Sequence, residues 1–333
     1  MQSNEPTPAA AIYRPLRAGD EAAVLALWAE TFEEDPQRLR HAVLDNPGTR
    51  RDQTRVAVAA DGTLLSAMHY HRRELRDLDG APQPVGGLTV VATRPDVRRQ
   101  GHAGRLLEQT IAAMRADGCA WSLLFTDINP YYERYGWRTH ATRYRQGLLA
   151  AEQPTPAGAY TTQGYDPRHA PGGWAPLAAV YAAYNARRPL TTVRDLPYWE
   201  RYAPVKFCAP NARVWVTVPA SEAGTVAGYV LAHFTEETFV VLEIGVRADA
   251  AEAIPALLAA VVDEARARGI GMGRVYIPRE PAIDAALAGI YQQVHEDYHH
   301  VLMGLPLAPG WDGARIAAIF AAPGAIAWPA DDF

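Results

Sequence analysis

The sequence predicts an α/β (α+β) fold made of two similar units in tandem. Three observations support this fold class. Short apolar strand patterns alternate with amphipathic helix patterns. The order strand, helix, three strands, helix, strand recurs in both halves, although no sequence repeat is obvious. A stretch rich in Pro, Gly, Thr and Ala separates the halves. We therefore expect a loose tail (1–10), a first domain (11–150), a linker (151–173), a second domain (174–305) and a C-terminal tail (306–333).

Length and composition limit the function classes. A chain of 333 residues suits two domains of about 150 residues each. A hydrophobic fraction of 49% and a charged fraction of 21% are typical of a soluble globular protein. The net charge of −5 argues against a general nucleic-acid binder. The first ten residues lack the apolar core of a signal peptide, and the most apolar window, "AIPALLAAVVDEA", is too short and too amphipathic to span a membrane.

The two cysteines, Cys119 and Cys208, lie far apart and without metal-ligand spacing. This pattern indicates two buried thiols in a reducing compartment and no metal site. We therefore expect a cytoplasmic protein that acts without nucleic acid, membrane or metal.

The first half begins with a short strand and an amphipathic helix in "AIYRPLRAGDEAAVLALWAETFEE". A turn at Gly19 joins them, and Asp20 is the expected N-cap of the helix. Leu25, Leu27 and Trp28 supply its apolar stripe.

The remaining elements of the first half follow in order. "TRVAVAADGTLLSAMHYHRREL" predicts two strands with a hairpin at Asp61-Gly62, and the apolar run "VGGLTVVATR" predicts a central strand. "AGRLLEQTIAAMRADG" predicts a helix that ends at Gly118. "CAWSLLFTD" predicts a buried strand, "NPYYERYGW" a short helix that ends at Gly136, and "YRQGLLAA" a closing strand.

The second half shows a similar succession of patterns. Helices are expected in "WAPLAAVYAAYNARR", near "TTVRDLPYWERYA" and in "AEAIPALLAAVVDEARARGI". Strands are expected in "RVWVTVPA", "AGYVLAHFTE", "TFVVLEIGV" and "MGRVYIPRE".

The segment "VRRQGHAGRLLEQ", from Val97 to Gln109, has the composition of an anion-binding turn. It follows a buried strand that ends near Thr93 and leads directly into a helix. Glycines let the backbone approach a ligand, and a helix start presents N–H groups and a positive dipole end to it. The segment matches neither the dinucleotide pattern G-x-G-x-x-G nor a P-loop. The loop alone is equally consistent with a basic helix start that binds nothing.

A second motif favours the ligand-binding alternative. The pattern is Arg98-x-x-Gly101-x-Ala103, a helix, a strand, Asn129-Pro130, and Tyr132 four residues before Gly136-Trp137. Over roughly residues 11–148 this combination resembles the GCN5-related N-acetyltransferase (GNAT) superfamily. The resemblance implies that each unit is a mixed, mostly antiparallel twisted sheet flanked by helices. It also implies acetyl-CoA as the cosubstrate.

The resemblance assigns roles to individual residues. The backbone of Val91, Ala92 and Thr93 would face the pantetheine arm, and Asn129 would lie near the cofactor beside the sheet splay. Tyr132 would protonate the departing thiolate, although a tyrosine that only packs on the sheet is the alternative. The loop expected to hold the pyrophosphate consists of Arg98, Arg99, Gln100, Gly101, His102, Ala103 and Gly104.

Direct transfer also requires a neutral amine, so a base or a water chain must remove a proton. The strand "VGGLTVVATR" contains no carboxylate, which leaves Asp127 as the nearest candidate in sequence. His69 and His71 share one strand face, and we favour two histidines on a half-exposed strand without a base role.

The region after the first helix often lines the acceptor groove in this superfamily. On that ground Trp28, Glu33 and Glu34 are candidate acceptor contacts. The carboxylates of Glu30, Glu33, Glu34 and Asp35 fit a solvated charge run better than an acceptor site.

The second half lacks the glycine loop. After "TFVVLEIGV" comes "RADAAEAIPALL", which contains Arg247 but no glycine. Asp249 and Glu252 are expected to cap the helix that follows and to repel a pyrophosphate. We therefore expect one acetyl-CoA site per chain.

An active first unit and a degenerate second unit resemble the enhanced-intracellular-survival (Eis) group of acetyltransferases. Members of that group end in a phenylalanine whose carboxylate serves as the base, and this sequence ends in Phe333. The Eis group also carries a third, sterol-carrier-like domain, where this sequence has only residues 306–333.

We expect acetyl transfer to a primary amine of a small molecule (an aminoglycoside, a polyamine or an amino-acid-like compound) in a ternary complex, with Cys119 not acting as a nucleophile. One alternative is acetylation of a cysteinyl amine, as in mycothiol synthase, and another is a non-catalytic CoA-binding regulator. Assembly into a homo-oligomer is possible on the same resemblance.

Overall fold

The computed structural model describes residues 11–152, 158–221 and 224–331. Over these residues the chain forms one continuous mixed sheet with helices on both faces. The strands are β1 (Ile12–Pro15), β2 (Thr54–Val58), β3 (Leu64–Arg76), β4 (Pro82–Thr93), β5 (Trp121–Phe125), β6 (Arg138–Leu148), β7 (Tyr160–Gly164), β8 (Ala212–Pro219), β9 (Gly228–Phe234), β10 (Thr238–Val246), β11 (Met272–Val275) and β12 (His295–Pro306). The α-helices are α1 (Glu21–Phe32), α2 (Pro36–Leu39), α3 (His102–Ala116), α4 (Asn129–Glu133), α5 (Ala175–Tyr184), α6 (Pro204–Phe207), α7 (Ile254–Ala267), α8 (Pro281–Ile290) and α9 (Gly313–Ala321).

The two halves exchange strands at the centre of the sheet. The strand order is β1-β2-β3-β4-β5-β12-β6-β11-β10-β9-β8-β7. The β4–β5 and β10–β11 pairs are parallel, and the other pairs are antiparallel. Thus β12, late in the chain, lies between β5 and β6, while β6 also pairs with β11. The fold class is as the sequence predicts, but each half donates a strand to its neighbour.

Both faces of the first half's sheet are buried. On one face α3 packs its apolar stripe, including Leu106 and Met114, against the sheet. On the other face α1 covers β2 to β4, and α9 covers β5 and β12. The largest buried cluster lies in the second half, where α5 and α7 pack against β8 to β11.

Several elements differ from the sequence prediction. The expected linker 151–173 contains β7, and the expected tail 306–333 contains α9. Asp20 does not cap α1: its carboxylate instead binds Arg14 and accepts the N–H of Arg17 at 2.8 Å. Within the described ranges no helix is long and apolar enough to cross a membrane.

Candidate active site

The loop between β4 and α3 has two residues in the left-handed backbone region. Arg99 and Gly101 have φ angles of 66° and 85°. A Cβ at Gly101 would meet nothing within 4 Å, so backbone conformation rather than space favours glycine there. Gly101 is the N-cap of α3, and as a glycine it has no side chain that could accept a hydrogen bond from the start of the helix. The first N–H groups of α3, which a helix cannot pair internally, therefore face this loop.

The loop forms one wall of a cleft of about 620 Å³. The opposite wall consists of α4 and the residues around it, with Tyr131, Tyr132 and Tyr135. Gly104 lets these walls approach, because a Cβ there would lie 2.3 Å from Tyr135 Oη. The sequence-predicted residues that line the cleft are Val91, Thr93, Arg98, Arg99, Gly101, His102, Ala103, Gly104 and Tyr132.

A β-bulge brings the strand backbone to this cleft. Ala67 pairs with Ala92 and His69 pairs with Thr89, so two residues of β4, at positions 90 and 91, oppose one residue of β3. A bulge leaves its extra residue outside the hydrogen-bond ladder. Val90, the first of these two residues, has a φ of 46°. β4 pairs with β5 only from Val85 to Leu88. The two strands therefore diverge where the cleft begins.

Tyr132 lines the cleft and packs against two aromatic rings. Its ring makes edge-to-face contacts with Tyr131 and Trp137, with ring centroids 5.1 and 6.0 Å apart. The side chain is 7% exposed, and burial raises the pKa of Tyr132 to about 12. The phenol is therefore protonated at neutral pH and can donate a proton to a leaving group.

Three predicted cofactor contacts do not line the cleft. Ala92 is buried in the core beneath α1, and Gln100 is exposed on the outside of the loop. Asn129 Nδ2 donates to Thr139 Oγ1 and to the His300 carbonyl oxygen, each at 2.7 Å. Asn129 thus fixes the start of α4 to β6 and β12 and positions Tyr132 indirectly.

Other contributors to the cleft were not predicted from the sequence. Thr31 at the end of α1 lines it, and Tyr13 Oη lies 2.8 Å from His102 Nδ1. Tyr131 and Tyr135 belong to the motif that identified Tyr132, so their aromatic spacing was an available signal.

The expected acceptor contacts need correction. Trp28 is fully buried in the core between α1 and the sheet, so it cannot contact an acceptor in this conformation. Glu33 is exposed, and Glu34 pairs with Arg38 at 3.1 Å. These two carboxylates have the surroundings of a solvated charge run.

The candidate bases also differ from expectation. His69 and His71 are 0% and 4% exposed rather than half-exposed, because the face of the internal strand β3 that carries them is buried. His69 Nδ1 lies 2.8 Å from Thr54 Oγ1, and His69 Nε2 lies 3.3 Å from His71 Nδ1. Burial lowers the pKa of His69 to about 3 and that of His71 well below its usual range. Both are therefore weak bases at neutral pH, whereas Asp127 is exposed to solvent.

The described chain ends in a buried charge cluster. Asp331 accepts a hydrogen bond from Arg194 Nε at 2.8 Å, and its backbone oxygen accepts one from Arg73 at 2.9 Å. Arg194 also binds both oxygens of Glu243, at 2.8 and 2.5 Å. This cluster joins β3, β10 and the C-terminal segment. The prediction for Phe333 lies outside the described residues.

In the second half, Asp249 binds Arg247 at 2.7 Å, and α7 begins only at Ile254. The N-cap of α7 is Ala253, without a side-chain hydrogen bond. The expectation that Asp249 and Glu252 cap this helix is therefore wrong.

Throughout the described part of the chain, no group of three or more His, Cys, Asp or Glu side chains could hold a metal ion.

Comparisons with known proteins agree with this architecture. Residues 12–140 match the family model of the acetyltransferase (GNAT) domain. No curated protein sequence matches the chain significantly.

Three solved structures illustrate the structural likeness. A probable N-acyltransferase from Enterococcus faecalis has a TM-score of 0.68 at 13% identity, with 90% of this chain and 73% of that chain covered. Eis1 from Mycobacterium abscessus has a TM-score of 0.61 at 17% identity, with 90% and 74% covered. A tandem GNAT protein from the clavulanic acid biosynthesis pathway has a TM-score of 0.56 at 15% identity, with 91% and 100% covered. At these identities the likeness shows a shared fold.

Proposed function

We propose that this chain, whose residues 12–140 belong to the GNAT acetyltransferases, moves an acetyl group from acetyl-CoA to a primary amine of a small molecule. The observation that carries the proposal is the convergence of three features on one cleft. These are the glycine loop at the start of α3, the bulge in β4, and the protonated phenol of Tyr132.

The residues of the cleft fit acetyl-CoA. The α3 start, with Arg98 and Arg99 beside it, provides N–H donors and positive charge for a pyrophosphate. The diverging edge of β4 provides backbone groups for the amide-rich pantetheine arm. When bound, acetyl-CoA supplies the acetyl thioester.

Two catalytic roles then fall to groups that line the cleft. A backbone N–H at the bulge, near Val91, stabilises the negative charge that develops on the acetyl oxygen. Tyr132 gives its proton to the leaving sulfur. Attack is direct in a ternary complex, and buried Cys119 is not a nucleophile, since burial raises the pKa of its thiol to about 11.

The base that accepts the amine proton is the least constrained role. The low pKa values of His69 and His71 disfavour both histidines at neutral pH. Asp127, a water chain or the carboxylate of Phe333 would supply it.

Replacement of Tyr132 by phenylalanine tests the proposal. Phenylalanine keeps the ring contacts but removes the proton, so kcat should fall about 10²-fold or more while acetyl-CoA affinity stays unchanged. Thiol release from acetyl-CoA with a panel of amines measures kcat, and calorimetry measures affinity. Tyr160→Phe, on β7 in the second half, is the matched control.

Unchanged kcat in Tyr132→Phe would remove the acid role. Acetyl-CoA binding without transfer to any amine, a cysteinyl amine included, would indicate a CoA-binding regulator instead.

A further inference from the structure

A second cavity, of about 660 Å³, lies where the two halves exchange strands. Its walls come from β6, β10 and β12, from the segment after β11, and from the segment after α9. Small-molecule sites commonly have volumes of about 300–1,000 Å³ and occur at domain junctions. The cavity therefore has the size and the place of a ligand site.

One wall of this cavity is aromatic. Tyr144 and His299 stack with centroids 4.4 Å apart and an interplanar angle of 23°. Tyr276 Oη lies 2.6 Å from His299 Nε2, which fixes both rings. Phe320 lines the cavity beside them, stacked on His140 at 4.4 Å. Fixed, flat ring faces favour a ligand with a planar apolar body.

The charge on the lining has one sign. Of the described residues that line the cavity, three are arginines, and none is an aspartate or a glutamate. Arg145 is buried and held by Asp284 and by the carbonyl oxygens of Ile277 and Pro278.

Arg143 and Arg279, the other two arginines, have side chains that are 45% and 63% exposed. The nitrogen–oxygen distance to the carboxylate of Glu296 is 3.6 Å for Arg143 and 3.7 Å for Arg279. Arg279 also lies 3.6 Å from a carboxylate oxygen of Asp284. These distances exceed hydrogen-bond length, so both guanidiniums can still donate to an anion.

Residues close together in one short chain segment line the cavity and the cleft. Phe125 lines the cavity at the end of β5, and Ile128, three residues later, lines the cleft. The partner strand behaves likewise: Val301 lines the cavity, and the preceding carbonyl of His300 holds Asn129 at the start of the helix that carries Tyr132.

We propose that this cavity binds the acceptor and selects an amine with a planar aromatic body and an anionic group, such as an aromatic amino acid. This inference rests on the proposed acetyltransferase function. A polyamine or an aminoglycoside, both polycations, would meet three arginines on the lining, whose carboxylate neighbours Asp284 and Glu296 do not themselves line the cavity.

Matched pairs of amines test the selection. L-Tryptophan and tryptamine differ only in the carboxylate, and spermidine represents the polycations. Because a charge-assisted hydrogen bond commonly contributes tenfold or more in affinity, kcat/KM for L-tryptophan should exceed that for tryptamine at least tenfold. Thiol release from acetyl-CoA measures each rate.

The exposed arginines provide the variants. Arg143→Gln and Arg279→Gln should each reduce the preference for L-tryptophan over tryptamine, the ratio of their kcat/KM values, at least threefold. Arg168→Gln, an exposed arginine that pairs with Asp166 outside the cavity, should leave the preference unchanged. Thermal melts would verify that the variants fold.

The two proposals can fail separately. Faster transfer to spermidine or tryptamine than to L-tryptophan would overturn the cavity assignment and leave the acetyltransferase function intact. If no amine is acetylated, the acetyltransferase proposal fails. Calorimetric titration with L-tryptophan then still judges the cavity: saturable binding that Arg143→Gln weakens supports it, and absence of binding overturns it.

Discussion

Acidification should destabilise this fold through His69, and the structure sets the size of the effect. His69 is fully buried on the central strand β3, between Thr54 and His71. Burial lowers the pKa of His69 from 6.5 to about 3. Below pH 6.5 the unfolded chain therefore takes up a proton that the folded chain refuses.

The sign and magnitude follow from proton linkage. Because the unfolded state binds more protons, the free energy of unfolding falls as pH falls, from about pH 6.5 down to about pH 3. At pH 7.5 proton uptake by His69 in the unfolded state lowers the free energy of unfolding by under about 0.1 kcal/mol. At pH 5 it lowers the free energy of unfolding by about 2 kcal/mol, since the unfolded histidine is then largely protonated.

Urea unfolding at several pH values measures this contribution. Replacement of His69 by glutamine removes the titrating group, so the loss of stability between pH 7.5 and pH 5 should be about 2 kcal/mol smaller than in the wild type. His295→Gln changes an exposed histidine, the first residue of β12. This variant should lose as much stability between pH 7.5 and pH 5 as the wild type. Parallel curves for wild type and His69→Gln would refute the reasoning, whatever their vertical offset.

Two further substitutions test the packing of the site and of the junction. Glu243→Gln removes the negative charge that pairs with buried Arg194, so it should lower the free energy of unfolding by about 3–5 kcal/mol. Glu264→Gln removes one partner of an exposed ion pair on a helix and should change the free energy of unfolding by under about 1 kcal/mol. Equal effects of the two variants in urea unfolding would contradict the buried cluster. Gly104→Ala places a methyl group 2.3 Å from Tyr135 Oη and should weaken acetyl-CoA binding in calorimetry. Adding Tyr135→Phe should recover part of the affinity. Unchanged affinity in the single variant would show that the two walls of the cleft can separate freely.

Most of the predicted cofactor contacts line one cleft, because they are close together along the chain. The loop from Arg98 to Gly104 is one continuous turn, and local glycine chemistry determines its conformation. Tyr132 followed from its spacing to Gly136 and Trp137. These inferences needed little knowledge of tertiary packing.

Predictions that depended on distant contacts were wrong or absent. The stripe containing Trp28 identifies a buried helix face, but periodicity cannot distinguish a core from a groove. His69 and His71 share one face of β3, which is buried, while Arg72 and Glu74 on the opposite face are exposed; the alternation alone does not tell which face the rest of the chain covers. The exchange of β6 and β12 joins strands about 150 residues apart, a pairing that no local pattern encodes.

This exchange gives the second half a role that does not require its own cofactor loop. β12 supplies the carbonyl of His300 that fixes Asn129, and through it the helix that carries Tyr132. The same strand contributes His299 and Leu302 to the cavity proposed for the acceptor. The absence of a glycine loop near Arg247 is therefore compatible with a second half that takes part in the site, because it completes the first sheet and lines the cavity proposed for the acceptor.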